Sequence, residues 1–206
     1  MEHLIYFYDH SMFIIMIILI SIGYMISSLT INKFSDSFMM DKQALEVIWT
    51  VLPAIVLIFI ALPSIHILYL IDENPNSSLT IKTFGHQWYG TYEYSDFLDM
   101  EFDAYMIPQT ELEQFNIRLL EVDNWTTLPI HCWTRMPISS EDVLHSWTIP
   151  SLAIKADATP GWLNQISFWL SRPGVLYSQS SEICGVNHSF MPIVIESLSI
   201  KEFVQW

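Results

Sequence analysis

Residues 11–32, SMFIIMIILISIGYMISSLTIN, run for 22 positions without a charged side chain. At about 1.5 Å per residue such a helix reaches roughly 33 Å, enough to cross the hydrocarbon core of a bilayer. A second apolar run follows at residues 47–71, VIWTVLPAIVLIFIALPSIHILYLI, 25 positions without Asp, Glu, Lys or Arg. It contains Pro53 and Pro63, which a membrane helix tolerates better than a soluble one. Two buried core helices are the alternative. Both runs exceed the threshold of about 18 residues and lack amphipathic periodicity, which favours membrane spans. The first ten residues, MEHLIYFYDH, hold Glu2 and Asp9 but no Lys or Arg, unlike a signal or transit peptide. Two spans leave both ends of the chain on one side. Lys33 and Lys42 lie between them, so the intervening loop prefers the inner compartment and the C-terminal region faces outward.

That region has a different character. The 206-residue chain is 51% hydrophobic yet carries a net charge of −14. From Asp72 onward there are 17 acidic and six basic residues. The sequence therefore divides into a membrane hairpin at 1–71, with spans about 11–32 and 47–71, and an outer domain at 72–206. In the outer domain, SLTIKTFGHQWYGTYEY reads as a strand pair turning around Gly85. FNIRLLEVDN reads as a further strand, TLPIHCWTRMPIS as a proline-interrupted one, and FMPIVIESLSI as the last. No useful helical period appears after residue 72. Short strands joined by Pro, Asn, Asp and Gly predict a sandwich or barrel.

The window 93–103, EYSDFLDMEFD, holds five carboxylates and no basic residue. A solvated edge and a docking face for a cationic protein are equally compatible with it. Nucleic acid would be repelled. Cys132 and Cys184 allow one disulfide or a metal thiolate, and the count alone does not choose. The stretch 177–191, YSQSSEICGVNHSFM, adds a pattern. Cys184, His188 and Met191 fall within eight residues, and His145 lies 39 residues upstream of Cys184 in SSEDVLHSW. Two imidazoles, a thiolate and a weak thioether are the ligand set of a mononuclear electron-transfer copper site.

These motifs carry a resemblance. SSEICGVNHSFMPIVIE looks like the copper loop of cytochrome c oxidase subunit II. SSEDVLHSW, GHQWYGTYEY, RLLEVDN, PSLAIKADATPG and ALEVIWTVLPAIVLIFIALPS match that family in order and spacing, from near residue 5 to residue 206. The resemblance implies a two-helix transmembrane hairpin followed by an all-β cupredoxin-like barrel or sandwich. It implies a dinuclear copper A centre held by His145, the residue at 180, the carbonyl of Glu182, Cys184, His188 and Met191. Glu182 resembles the side-chain ligand to a magnesium ion shared with subunit I. Trp88 matches the aromatic through which electrons arrive from cytochrome c. Glu93, Asp99, Asp103, Asp123 and Asp142 resemble the cytochrome c docking carboxylates. Glu46 matches the acid at the mouth of a proton path into subunit I. The implied role is to accept electrons from cytochrome c and pass them to haem in subunit I, where oxygen is reduced. The implied place is the mitochondrial inner membrane, in a complex with subunit I and other subunits, with the C-terminal domain in the intermembrane space.

The chain departs from the family pattern at four positions. Ser180 stands where the family has a bridging cysteine, and a hydroxyl does not bridge two coppers as a thiolate does. The expectation is at most one copper. Trp125 and Trp162 stand in place of Arg, and Gly90 in place of an aromatic. Cys132 matches no family ligand and reads as a small buried hydrophobe. A competing reading follows from Ser180: a copper-impaired or purely structural subunit, of the kind found in quinol oxidases. The ligand-type residues retained at family spacing weigh against it.

Overall fold

The computed structural model describes all residues except Met1, Met39, Asn74 and Asp99, and the backbone alone at Asp72. Two compact units, Met1–Glu73 and Asn74–Trp206, divide the chain.

The first unit is a helical hairpin. Helix α1 spans Glu2–Ile31 and α2 spans Gln43–Asp72. Both start earlier than the apolar runs alone predict, because nothing in the flanking polar turns breaks a helix. His3 meets His66 edge to face, with ring centroids 6.0 Å apart, and His10 Nε2 lies 3.2 Å from the Phe59 carbonyl. The start of α1 therefore lies beside the end of α2, and the helices are antiparallel. Pro53 and Pro63 both sit inside α2. Neither helix buries a continuous face within the unit, so an apolar surface all round is left for lipid or neighbouring helices. The hydroxyls of Ser21, Ser27 and Thr50 each donate to the carbonyl four residues earlier at 2.8 Å. Their polar groups are thus satisfied without water.

The second unit is a β-sandwich. Its strands are β1 (Leu79–His86), β2 (Tyr89–Tyr94), β3 (Glu101–Ala104), β4 (Thr126–Pro129), β5 (Trp133–Ser140), β6 (His145–Ile149), β7 (Ile154–Ala158), β8 (Asn164–Trp169), β9 (Gly174–Gln179) and β10 (Pro192–Leu198). One sheet has the order β3-β2-β1-β5-β8, a second the order β4-β10-β9, and β6 pairs with β7. The β1–β5 and β10–β4 pairings are parallel and the rest antiparallel. Strand β1 alternates strictly, with Leu79, Ile81, Thr83 and Gly85 turned inward. Ile81, Tyr94, Met136 and Ile138 of the first sheet join Leu128 and Ile195 of the second in one buried cluster with Ile149 of β6. Each fully buried side chain of this size contributes about 1.5–3 kcal/mol of transfer free energy.

Three sequence expectations change. The hairpin turns at Gln87–Trp88, not at Gly85, which lies inside β1 and pairs with Gly90. A Cβ on Gly85 would meet the His145 ring at 2.9 Å, so this glycine marks a close approach rather than a turn. FNIRLLEVDN is not a strand. It forms successive turns, with Asn116 N–H donating to Glu113 and Leu120 N–H to Ile117, and Leu119 at φ 67°. Only Val122 bridges, to Met106. TLPIHCWTRMPIS is two strands, β4 and β5, separated at His131 with φ 58°. A short helix, α3 (Ile200–Gln205), was also hidden by its length. Ser199 and Glu202 close a capping box at its start, and Phe203 and Trp206 stack at 6.1 Å, Trp206 lying 5.5 Å from the Tyr94 ring.

Tyr92 is 2% exposed, and burial pushes its hydroxyl up from 10.0 to about 12. Burial also raises Tyr94, whose hydroxyl donates to the Thr127 carbonyl at 2.7 Å. A phenol whose folded pKa is raised adds stability that is complete below its unfolded value and is lost as pH climbs through the folded one. The sandwich should therefore weaken between about pH 10 and pH 12. Tyr92→Phe should flatten that decline by up to roughly 3 kcal/mol at its upper end, read as the pH dependence of thermal unfolding by circular dichroism.

Candidate metal centre

Residues 180–191 form the loop between β9 and β10. The Ser180 N–H donates to the Met191 carbonyl at 3.0 Å and closes the loop base. The adjacent Ser181 N–H donates to the Ser146 carbonyl, also at 3.0 Å, which ties the loop to β6 beside His145. Inside the loop, His188 N–H donates to Gly185 and Phe190 N–H to Asn187. These tight turns fold His188 back over Cys184, and Cys184 Sγ lies 3.6 Å from His188 Nδ1. Gly185 sits at φ 125°, a conformation side chains rarely adopt.

His145 opens β6 and is 1% exposed. Its Nε2 lies 2.8 Å from Asp142 Oδ1, while its Nδ1 is buried with no partner among the described residues. Burial would raise the Asp142 carboxyl. Hydrogen bonds from the Val143 amide, His145 and the Gln87 amide outweigh that and hold it below its ordinary value. The ionised carboxylate only accepts, so Nε2 must donate to it, and in the neutral ring this leaves the Nδ1 lone pair free. Such a carboxylate behind an imidazole fixes both tautomer and ring orientation of a metal ligand. Gln87 carries the same network to the loop. Its amide N–H donates to Asp142 Oδ2 at 2.6 Å, and its side-chain Nε2 donates to the Cys184 carbonyl at 2.7 Å. Trp88 packs on the loop backbone. A Cβ on Gly185 would lie 3.2 Å from its ring and 3.1 Å from Gln87 Nε2, so the glycine is needed for space as well as for φ. Burial, followed by the nearby Asp142 charge, pushes the Cys184 thiol above its ordinary value.

Among the described residues no three His, Cys, Asp or Glu side chains cluster tightly enough to ligate one ion. The donors stand as two pairs, Cys184 with His188 and Asp142 with His145, while His145, Ser180 and Met191 line one shared cavity. The chemistry of this set fits a single copper: one soft thiolate, two imidazoles and a thioether, with an orphaned His145 Nδ1 aimed by its carboxylate. It does not fit a dinuclear bridge. Ser180 offers a hydroxyl, and the only other thiol, Cys132, sits between β4 and β5 with its Sγ toward the Trp133 carbonyl at 3.9 Å. Both cysteines are free, so the disulfide alternative falls.

Glu182 is half-buried on the loop, and Glu46 lies in the first turn of α2. Glu93 pairs with Lys82 at 2.7 Å. Asp103 accepts from Thr91 Oγ1 at 2.7 Å, and Asp123 from the Tyr105 amide at 2.7 Å. Asp142 has both oxygens engaged in the His145 and Gln87 network. Asp99 lies outside the described residues. Sequence reading missed Gln87 as a positioning residue. Its signal was its place in GHQWYG, one residue before Trp88, but nothing local says that a glutamine will reach a carbonyl 97 residues away.

Known proteins resemble this chain in both of its units. The family model described as cytochrome c oxidase subunit II, periplasmic domain, matches residues 79–198, and the transmembrane domain model of the same subunit matches residues 1–67. Cytochrome c oxidase subunit 2 of Periplaneta americana is 56% identical over 206 residues, covering 100% of this chain and 90% of the relative. The Choristoneura rosaceana protein of that name is 55% identical, with 100% and 91% coverage. Among solved structures, the periplasmic domain of subunit II of cytochrome oxidase (CoxB) from Bradyrhizobium japonicum superimposes with a TM-score of 0.59 at 42% identity. It covers 64% of this chain and 92% of that domain.

If the Asp142 carboxylate aims His145, Asp142→Ala should lower copper affinity by about tenfold to a hundredfold without removing a ligand. Competition against a chelator of known strength measures this. An unchanged affinity would show that the carboxylate merely caps the turn.

Proposed function

The chain belongs to the cytochrome c oxidase subunit II family, and on that footing we propose that it receives electrons from cytochrome c at a single copper held by His145, Cys184, His188 and Met191 and delivers them to haem in subunit I. The family assigns the chain to the oxidase as its electron-transfer subunit, anchored by two membrane-spanning helices with the β-domain outside the bilayer. Copper in this pocket supplies a one-electron redox couple. The observation that carries the single-copper reading is Ser180. It is 7% exposed at the loop base, its hydroxyl without a partner among the described residues, where two bridging sulfurs would be needed for a second ion.

The residues of the chain divide the work. Asp142 keeps the His145 ring in one orientation and one tautomer. Gln87 couples that carboxylate to the Cys184 backbone, so the β6 end and the loop end of the site move together. Low mobility of this kind keeps reorganisation small when the charge of the centre changes. Trp88, in contact with the loop at Gly185, offers a π-system between solvent and Cys184 and is the proposed point of electron arrival. The outer acidic surface, including Glu93, Asp103 and Asp123, would steer a basic donor protein toward Trp88, with Asp99 as a further proposed docking carboxylate. Asp142 is the least available of these carboxylates for docking. Glu182 is the proposed side-chain ligand to a magnesium ion shared with subunit I, and Glu46 the proposed mouth of a proton path. The proposed location is the mitochondrial inner membrane.

The second reading, a structural subunit without copper, also rests on Ser180. Copper analysis of the full chain separates the two. The expected content is one copper per chain with a spin localised on one ion. Ser180→Cys should raise it to two, with a delocalised mixed-valence electron spin signal. A chain that takes up no copper while Ser180→Cys takes up two would favour the structural reading.

A further inference from the structure

The segment that joins the two spans, residues 32–42, has the sequence NKFSDSFMMDK. It repeats a small turn. The Phe34 N–H donates to Asn32 Oδ1 at 3.0 Å, and the Phe38 N–H donates to Asp36 Oδ1, also at 3.0 Å. An Asn or Asp side chain that accepts from the amide two residues on makes a local turn of the backbone. Each turn here ends on a phenylalanine. The Met40 N–H then donates to the Phe38 carbonyl at 2.9 Å. Phe34, Phe38 and Met40 thus have their amides satisfied within the segment, while their side chains are 91%, 90% and 92% exposed.

Both features suit the edge of a bilayer. Exposed apolar area carries an unfavourable hydration free energy in proportion to its size. A backbone that satisfies its own donors can lie where water is scarce. The charged residues complete the pattern. Lys33, Asp36, Asp41 and Lys42 sum to no net charge, and among the described residues no ion pair joins them. Their charges are left for other partners. A headgroup with both a phosphate and an amine offers one partner to each sign. An anionic headgroup would attract the lysines and repel the aspartates.

We propose that residues 32–42 form an interfacial anchor, with Phe34, Phe38 and Met40 inserted among zwitterionic phospholipids on the side of the bilayer away from the β-domain. The hairpin itself names the occupant. The segment begins directly after α1 and ends directly before α2, so its apolar side chains continue the surface that both helices present to lipid. The anchor needs no copper and stands apart from the single-copper reading. A neighbouring protein subunit is the competing occupant.

The test uses the full chain in phosphatidylcholine vesicles doped with a phospholipid that bears a photoactivated carbene source at the top of its acyl chain. Cleavage after Lys33 and Lys42 releases residues 34–42 as one peptide, whose label is read by mass spectrometry. This peptide should carry lipid label comparable to that of the spans and little label from a water-soluble carbene reagent. Phe34→Ser with Phe38→Ser should lower its lipid label by roughly tenfold or more and raise its aqueous label. Unchanged labelling of the spans verifies that the variant still inserts. Adding anionic lipid should change the parent's labelling by less than about twofold. In the assembled oxidase the lipid label should remain. Heavy aqueous label on 34–42 without lipid label in the parent overturns the proposal. Lipid label that survives intact in the double variant also overturns it, because the phenylalanines would not be what inserts. Lipid label that appears only with anionic lipid overturns the headgroup assignment. Loss of both labels in the assembled oxidase would show that a protein subunit covers this surface, and would overturn the anchor.

Discussion

The Asp142 carboxylate is the point on which the site geometry turns. One oxygen meets His145 Nε2 and the Val143 amide, and the other accepts from the Gln87 backbone. Gln87 in turn holds the Cys184 carbonyl. Three segments far apart in sequence, the β1–β2 turn, the start of β6 and the β9–β10 loop, are thereby fixed to one ionised group. Charge-assisted hydrogen bonds of this kind are roughly twice as strong as neutral ones. The sandwich beneath supplies rigidity, and the carboxylate supplies aim.

The two units meet different physical demands. The helical hairpin presents apolar side chains in every direction and satisfies its hydroxyls internally, as a lipid environment requires. The outer unit concentrates the acidic residues and buries its apolar ones between two sheets. A net charge of −14 on a chain that is 51% hydrophobic is consistent only with that division. Self-repulsion on the outer face favours solubility and attraction of basic proteins.

The departures from the family pattern have local physical consequences. Trp125 stands where a cation is expected. Its Nε1 donates at 2.6 Å to Glu121, which is 2% exposed and also 3.5 Å from the Tyr177 hydroxyl. The indole restores a hydrogen bond but not a charge, since it lacks a guanidinium fork. Trp162 is 70% exposed in the turn before β8, and no contact in the structure explains it. Ser180 and Gly90 fall on the same cavity, so two changes that look independent in sequence act on one space.

Much of this was legible in the sequence. Charge-free runs longer than a bilayer is thick report spans directly, because a helix has a fixed rise. Strict alternation at Leu79–His86 reports a strand, because successive side chains oppose. The short spacing of Cys184 and His188 reports a tight loop, in which Cys184 Sγ and His188 Nδ1 lie 3.6 Å apart. Other features were decided only by tertiary structure. Gly85 read as a turn because a glycine's role in admitting a distant ring leaves no local trace. FNIRLLEVDN carries strand-like residues but pairs only around Val122, with Met106, and pairing is a property of two segments. Gln87 makes its contacts across 55 and 97 residues, and the shared cavity draws its walls from segments as far apart as Thr83 and Ile193. Local sequence fixes residue types and short-range periodicity, while only packing determines which side chains share a space.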